Sequence, residues 1–279
     1  MMFLHVMMMA SVLSGGSAEV VSDFREKCAD IFANGAPPTI LHGHQYRQIC
    51  QTLKNKVYYA TLYDTDNKIS VYSAYKFNKK MKCDRKHIWC IEPQLDNPGE
   101  EPNMVPDRSH QSPNQAVSDD YKHSGFDKGH LAPVYLASSQ DCSDATFTLT
   151  NAAPQNLHFN RGKWRILEEK IADELTMQCL SKKNTAYVVT GVVPGKRKIY
   201  EKRNVNVNVP SHFWTAYCCL DHNKECQFSK GFIGRNRNSK APDNITVNEL
   251  ETRLENLYKV KSFQLFSTKA FFLSSCIIC

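Results

Sequence analysis

The apolar residues change period along the chain, and these changes mark out its elements. Residues 57–77, VYYATLYDTDNKISVYSAYKF, put Tyr, Val, Thr and Ile in two runs around the turn formers Asp64, Thr65, Asp66 and Asn67. That composition predicts two β-strands joined by a turn. Residues 92–115, EPQLDNPGEEPNMVPDRSHQSPNQ, show no period and are rich in Pro and Asn, so a long surface loop is expected there. Next, TFTLTN at 146–151 reads as a strand. RGKWRILEEKIADELTMQCL at 161–180 repeats apolar residues at 164, 167, 171 and 175, one face of an α-helix. Strands are predicted again at 185–193 (TAYVVTGVV), 211–220 (SHFWTAYCCL) and 229–236 (SKGFIGRN). Thr246 with Glu249 makes a capping box ahead of VNELETRLENLY, predicting a last helix. Strands outnumber helices, and no internal repeat is present. The pattern predicts one α+β domain, mixed in composition with a mainly antiparallel sheet core.

Composition narrows this reading. A chain of 279 residues with a hydrophobic fraction of 42% can build a substantial core. No window reaches the ~18 unbroken apolar residues of a membrane span. The run FQLFSTKAFFLSSCIIC at 263–279 comes nearest, but Lys269 and several hydroxyl residues interrupt it, so a final buried element is expected and no membrane anchor. The first residues, MMFLHVMMMASVLSGGSAEVV, read as a secretory signal, although they lack an early Lys or Arg. Residues 3–13 supply the apolar stretch, and Gly16, Ser17 and Ala18 supply small residues before a cut after Ala18. The expected organisation is a signal peptide at 1–18 and a single domain over 19–279, secreted or held in the secretory-pathway lumen.

The eleven cysteines all follow Ala18, which fits that compartment, and most should be paired. Cys218 and Cys219 sit side by side in a predicted strand, where neighbours point to opposite faces, so they should have different partners. CCLDHNKEC at 218–226 also allows a zinc site with His222, but disulfides are the expected use in a secreted chain. Asn244-Ile245-Thr246 is a glycosylation sequon, making Asn244 the expected acceptor.

A formal net charge of +7 mildly favours a polyanionic partner. Basic residues gather at 79–87 (KKMKCDRKH) and 195–203 (GKRKIYEKR), either of which alone reads as a solvated loop. Two stretches carry candidate chemistry. In GFDKGHLAP at 125–133, His130 has a side chain that titrates near neutrality and can accept a proton, with Asp127 close enough to orient a turn or the ring. In NAAPQNLHFNRGKWRILEE at 151–169, the amide oxygen of Asn160 suits a hard cation. Glu168, eight positions later, shares its helical face and can hold a water on such an ion. Taken singly, His130 reads as a structural histidine, and Asn160 with Glu168 as a helix cap and a solvent-facing acid.

Taken together, DKGHLAP, TLTNAAPQ and NRGKWRILEE resemble the DNA/RNA non-specific endonucleases. The ββα-metal site of that family carries D-R-G-H, then T-N-x-x-P-Q, then N-x-x-x-W-x-x-L-E. The similarity runs from about residue 24 to residue 258 and includes CADIFANGAPP, VVTGVVPG, VPSHFWTAYCC and ITVNELE. The resemblance implies His130 as the general base, Asn160 as the one direct protein ligand of Mg²⁺ (Mn²⁺ may substitute), and Glu168 holding the ion through water. It further implies that Asn151 braces the active-site end of its strand and that Arg85 steadies the transition state. The implied activity is hydrolysis of DNA and RNA without sequence specificity, leaving 5′-phosphate ends, with the nucleic-acid backbone as partner. Because Cys83 and Cys90 flank the stretch holding Arg85, they are expected to pair and fix it beside the site. Lys128 stands where the family's motif usually has arginine, which keeps the charge but loses the planar fork. The alternative is a catalytically silent secreted nucleic-acid-binding protein on the same scaffold.

Overall fold

A computed structural model describes residues 19–85, 88–109, 111–199, 206–238 and 240–267. The expected signal peptide, Cys276 and Cys279 lie outside the described residues. In chain order the elements are β1 (Glu19–Val21), β2 (Tyr46–Leu53), β3 (Lys56–Asp64), β4 (Ile69–Phe77), β5 (Cys90–Ile91), α1 (Pro93–Asp96), β6 (Val105–Pro106), β7 (Phe126–His130) and α2 (Gln140–Ala145). They continue with β8 (Ala152–Asn156), α3 (Arg165–Gln178), β9 (Thr185–Val193), β10 (Arg197–Ile199), β11 (Val207–Val209), β12 (His212–Leu220), β13 (Cys226–Arg235), β14 (Asp243–Ile245) and α4 (Val247–Tyr258).

Eight of these strands form one antiparallel sheet in the order β1-β2-β3-β4-β9-β12-β13-β14. The Tyr-rich runs become β3 and β4 because Asp64 closes the turn between them. Its carboxylate accepts the Asp66 and Asn67 backbone N–H groups, both at 3.0 Å, and the Asn67 amide at 2.8 Å. Along β12 the period of two sends neighbours to opposite faces. Phe213 packs with Trp164 of the helical layer on one face, and Trp214 packs with Leu250, Leu254 and Phe263 on the other. The sheet is therefore buried on both sides. One face carries α3 and the separate β7–β8 hairpin; the other carries α4 and the segment around Phe24 and Phe32. Leu250 and Leu254 of α4 are fully buried, each contributing on the order of 1.5–3 kcal/mol. The α4 capping box forms as expected, with Glu249 N–H donating to Thr246 Oγ1 at 3.2 Å and Thr246 N–H to Glu249 Oε2 at 2.9 Å.

Some expectations change. The residues 146–151 are not a strand: Leu149–Asn151 form a 3-10 turn, and the strand β8 starts at Ala152. Asn151 N–H turns back onto Thr148 C=O at 3.0 Å, which removes it from any ladder. The 92–115 excursion is largely irregular, holding only α1 and the two-residue β6. Its ends are clamped together, because the Gln115 amide accepts Glu92 N–H at 2.9 Å and donates to Glu92 C=O at 2.8 Å. Of the 263–279 run, Phe263 and Leu265 are buried; residues 268–279 lie outside the description.

Among the described residues the disulfides are Cys28–Cys50, Cys179–Cys219 and Cys218–Cys226. The adjacent pair thus has different partners, as strand geometry requires, and the thiolates a zinc site would need are consumed. The pairing expected between Cys83 and Cys90 is not formed. Residue 84 is held by Gln140 of α2, which accepts Asp84 N–H at 2.9 Å and donates to Asp84 C=O at 3.0 Å. Cys90 belongs to a different anchor, since its N–H donates to Phe147 C=O at 2.7 Å and it pairs with Pro106 in the β5–β6 ladder.

Candidate active site

The β7–β8 hairpin pairs His130 with Ala152 at one end and Phe126 with Asn156 at the other. Glycine at 129 is required by close approach rather than by a turn. A Cβ there would lie 2.6 Å from the Gln155 Cβ, because the Gln155 side chain folds across the strand. At the His130 end, Asn151 is fully buried and hydrogen-bonded on both sides of its amide. Its side chain donates to Ala132 C=O at 2.9 Å and Thr146 C=O at 3.0 Å, and accepts Ala132 N–H and the Ser73 hydroxyl, both at 2.9 Å. These bonds tie the residues after His130 to strand β4 of the main sheet. Asn151 does not line the cleft that His130 faces.

His130 is half-buried between Trp89 and Phe147, with ring centroids 4.9 Å from each. Its Nε2 is buried and has no hydrogen-bond partner. Burial first, then the Arg85 and Lys128 cations, push its pKa down to about 3. The ring is therefore neutral. Lys128 donates to the Ser118 hydroxyl at 3.0 Å and lies over the Trp89 ring at 5.0 Å; burial lowers its pKa to about 8. Arg85 is exposed, its guanidinium 5.6 Å from the Phe147 ring centre.

Asn160 sits in a π-helical turn, Phe159–Trp164, that precedes α3. The helix is thus less regular at its start than its apolar period implies, although Trp164, Leu167, Ile171 and Leu175 are all buried as expected. Asp127 governs this turn. It accepts the Asn160 amide at 3.0 Å and both arms of the Arg161 guanidinium at 2.9 and 2.6 Å. Burial pushes the Asp127 carboxyl up, but the Arg161 and Asn160 hydrogen bonds outweigh it and hold the group below its ordinary value. With its nitrogen committed, the Asn160 amide has an oxygen with no protein donor among the described residues. Glu168 lies on α3 at the same cleft, its carboxyl raised to about 8 mainly by burial.

One cleft of about 340 Å³ is lined by Arg85, Lys128, His130, Asn160 and Glu168. Among the described residues there is no cluster of three or more His, Cys, Asp or Glu side chains able to cage an ion. The donor set is instead one oriented amide oxygen and one carboxylate beside open volume. That fits a hard divalent cation that keeps most of its waters, as Mg²⁺ does.

Comparison with known proteins bears on this site. The sequence model of the DNA/RNA non-specific endonuclease family matches residues 39–271. The chain belongs to this family. Endonuclease domain-containing 1 protein of Homo sapiens is 31% identical over 236 residues, 82% of this chain and 45% of that protein. The Mus musculus protein of the same name is 28% identical over 245 residues, 85% of this chain and 47% of its own. The chain thus spans about half the length of these relatives. Mitochondrial Endonuclease G of Homo sapiens is 39% identical over 110 residues, 36% of this chain and 35% of that one. A crystal structure of the EndoG/EndoGI complex superposes with a TM-score of 0.57 at 20% identity, covering 90% of this chain and 94% of that one, so the fold is shared. Within the family's motif, Asp127 is the residue whose part the sequence left undefined. Beyond a turn or ring brace, it sets the orientation of Asn160, a contact across 33 positions that no local pattern signals.

Proposed function

We propose that this chain is a divalent-metal-dependent nuclease, using Mg²⁺ with Mn²⁺ able to replace it, that hydrolyses DNA and RNA without sequence specificity. The observation that carries the reading is a neutral His130 ring lining the same cleft as an Asn160 amide oriented by Asp127. His130 takes the proton of the attacking water as general base. A divalent ion held directly by Asn160, and through water by Glu168, would neutralise charge on the phosphate and assist the departing 3′ oxygen. Arg85 and Lys128 face the developing negative charge. These contacts address phosphate rather than base edges, which supports sequence-blind cleavage. Three disulfides support folding in an oxidising compartment, consistent with secretion. Among the described residues no helix is long and apolar enough to cross a membrane. Asn244 is exposed on the edge strand β14, where a glycan can be accommodated.

Plasmid DNA and an RNA transcript incubated with the purified protein and Mg²⁺ should both be cut, with 5′-phosphate ends that a ligase accepts without prior kinase treatment. Binding of both without cleavage would reject hydrolysis and leave a catalytically silent nucleic-acid-binding protein.

Lys128→Arg should change the cleavage rate by no more than about tenfold, or ~1.4 kcal/mol. The positive charge over Trp89 is already present, and only the bidentate geometry is gained. Complete loss of activity in the folded variant would mean that the Ser118 contact, which an ammonium makes at 3.0 Å, is itself needed.

A further inference from the structure

A second cleft, of about 510 Å³, opens between the end of β13, the start of β12 and helix α4. Arg235, Arg237, Lys240 and Arg253 line it, against one carboxylate, Asp243. That carboxylate is already engaged by Lys240 at 2.7 Å and Arg253 at 3.0 Å. Arg235 and Arg237 are exposed and have no carboxylate within ion-pair distance among the described residues. His212 completes the wall. Its Nδ1 meets the Ser211 hydroxyl at 3.0 Å, which leaves Nε2 available to the cleft. Burial, then Arg235 and Arg237, hold the His212 pKa below its ordinary value, so these groups already feel one another's charge. Cations gathered around open volume with a single, committed counter-charge form a site for an anion.

The cleft joins the catalytic end through the β7–β8 hairpin. The Asn236 side chain accepts Asn156 N–H at 2.8 Å and donates to Pro154 C=O at 2.9 Å and Pro210 C=O at 3.0 Å. Gly234, on the cleft wall, abuts the ring of Phe159, the residue before Asn160. Asn156 pairs with Phe126 at the end of the hairpin away from His130, and Arg197 lies over that Phe126 ring at 5.8 Å. The hairpin puts roughly 13 Å between its two ends, a few nucleotides of backbone. Cations thus stand near both ends of the hairpin, Lys128 at the catalytic cleft and Arg197 over Phe126, with Arg235 and Arg237 flanking Asn236 in sequence.

We propose that this second cleft is a phosphate-binding exosite that holds the backbone of the substrate strand several nucleotides from the scissile bond. The proposal rests on the nuclease reading of the first cleft. The ligand is backbone rather than base, because no Phe, Tyr or Trp lines the cleft to stack a base. A strand anchored there gains affinity with length, whereas a dinucleotide reaches only the catalytic cleft.

The test uses the whole protein and the double variant Arg235→Gln/Arg237→Gln. Binding of a fluorescent single strand of about 20 nucleotides is followed in EDTA, where no cleavage occurs, over a range of salt. Hydrolysis of a dinucleotide phosphodiester with Mg²⁺ is measured in parallel. The double variant should bind the long strand about tenfold more weakly, with a salt slope shallower by about 1.4, the value for two lost phosphate contacts on a single strand. Its dinucleotide turnover should stay within twofold of the parent, and Arg235→Lys/Arg237→Lys should retain most of the affinity. Unchanged affinity and slope in a folded double variant would overturn the exosite. So would an equal loss of dinucleotide turnover, which would make the two arginines part of the catalytic cleft. Inorganic phosphate that binds the parent but not the variant, with long-strand affinity unaltered, would reassign the cleft to free phosphate. Failure of the parent to cleave either substrate, with strand binding still dependent on the arginines, would sink the nuclease reading and keep the binding one.

Discussion

His130→Ala should lower the cleavage rate by at least the ~10²–10⁴-fold typical of a lost general base. The expectation comes from what surrounds the ring. The ring lines the cleft and is held neutral, so it can act as an acceptor when water meets the phosphate. The substitution also empties the slot between Trp89 and Phe147, so part of any loss could come from disorder in the site. A melting curve and the aromatic circular dichroism of the variant separate the two effects, and His130→Asn, which leaves less of a cavity, gives a second reading. A missing base should be partly restored by added imidazole, whereas a collapsed site should not. Wild-type turnover in folded His130→Ala would remove His130 from the chemistry.

Removing the divalent ion with EDTA should abolish cleavage, and Asn160→Ala should come close to the same result, because no carboxylate cage stands in reserve among the described residues. The pH dependence of metal binding follows from Glu168. Burial raises its carboxyl to about 8 from an ordinary 4.5, so at neutral pH the metal-free site holds a proton there. A bound cation favours the carboxylate, so binding expels that proton. Affinity should therefore rise with pH up to about 8 and level off above it. Calorimetry at neutral pH in buffers of different ionisation heat should show up to one proton released per ion, and none from this position in Glu168→Gln. Pure folding stability runs the other way. The folded, metal-free protein binds this proton more tightly than the unfolded chain, so this contribution falls as pH rises from 4.5 through about 8. A metal affinity that does not vary across that window would separate Glu168 from the ion.

Much of this protein could be read from local pattern. The Tyr-rich strands around Asp64, the apolar face at 164, 167, 171 and 175, and the Thr246 capping box depend on residues within a few positions of one another. So does the divergence of Cys218 and Cys219, which follows from strand geometry alone. The identities of His130, Asn160 and Glu168 were legible as a motif, and the tertiary structure brings them to one cleft. Other features are set by contacts the chain makes far from home. Asn151 lies in a turn rather than a strand because its side chain is spent on Ala132, Thr146 and Ser73. Asp127 orients Asn160 through a bond across 33 positions, and the start of α3 winds as a π-turn beside that contact. Cys83 and Cys90 are not bonded to each other: α2 holds the neighbouring Asp84 backbone, whereas Cys90 lies in the β5–β6 ladder. The second basic cleft joins Arg235 and Arg237 to Arg253 across the gap between β13 and α4, a grouping set by packing rather than by order along the chain. Sequence by itself determined the elements and the chemical identities, since those rest on short-range periodicity and residue type. Tertiary structure decided orientation, pairing and charge environment, because these depend on which distant groups exclude water from one another.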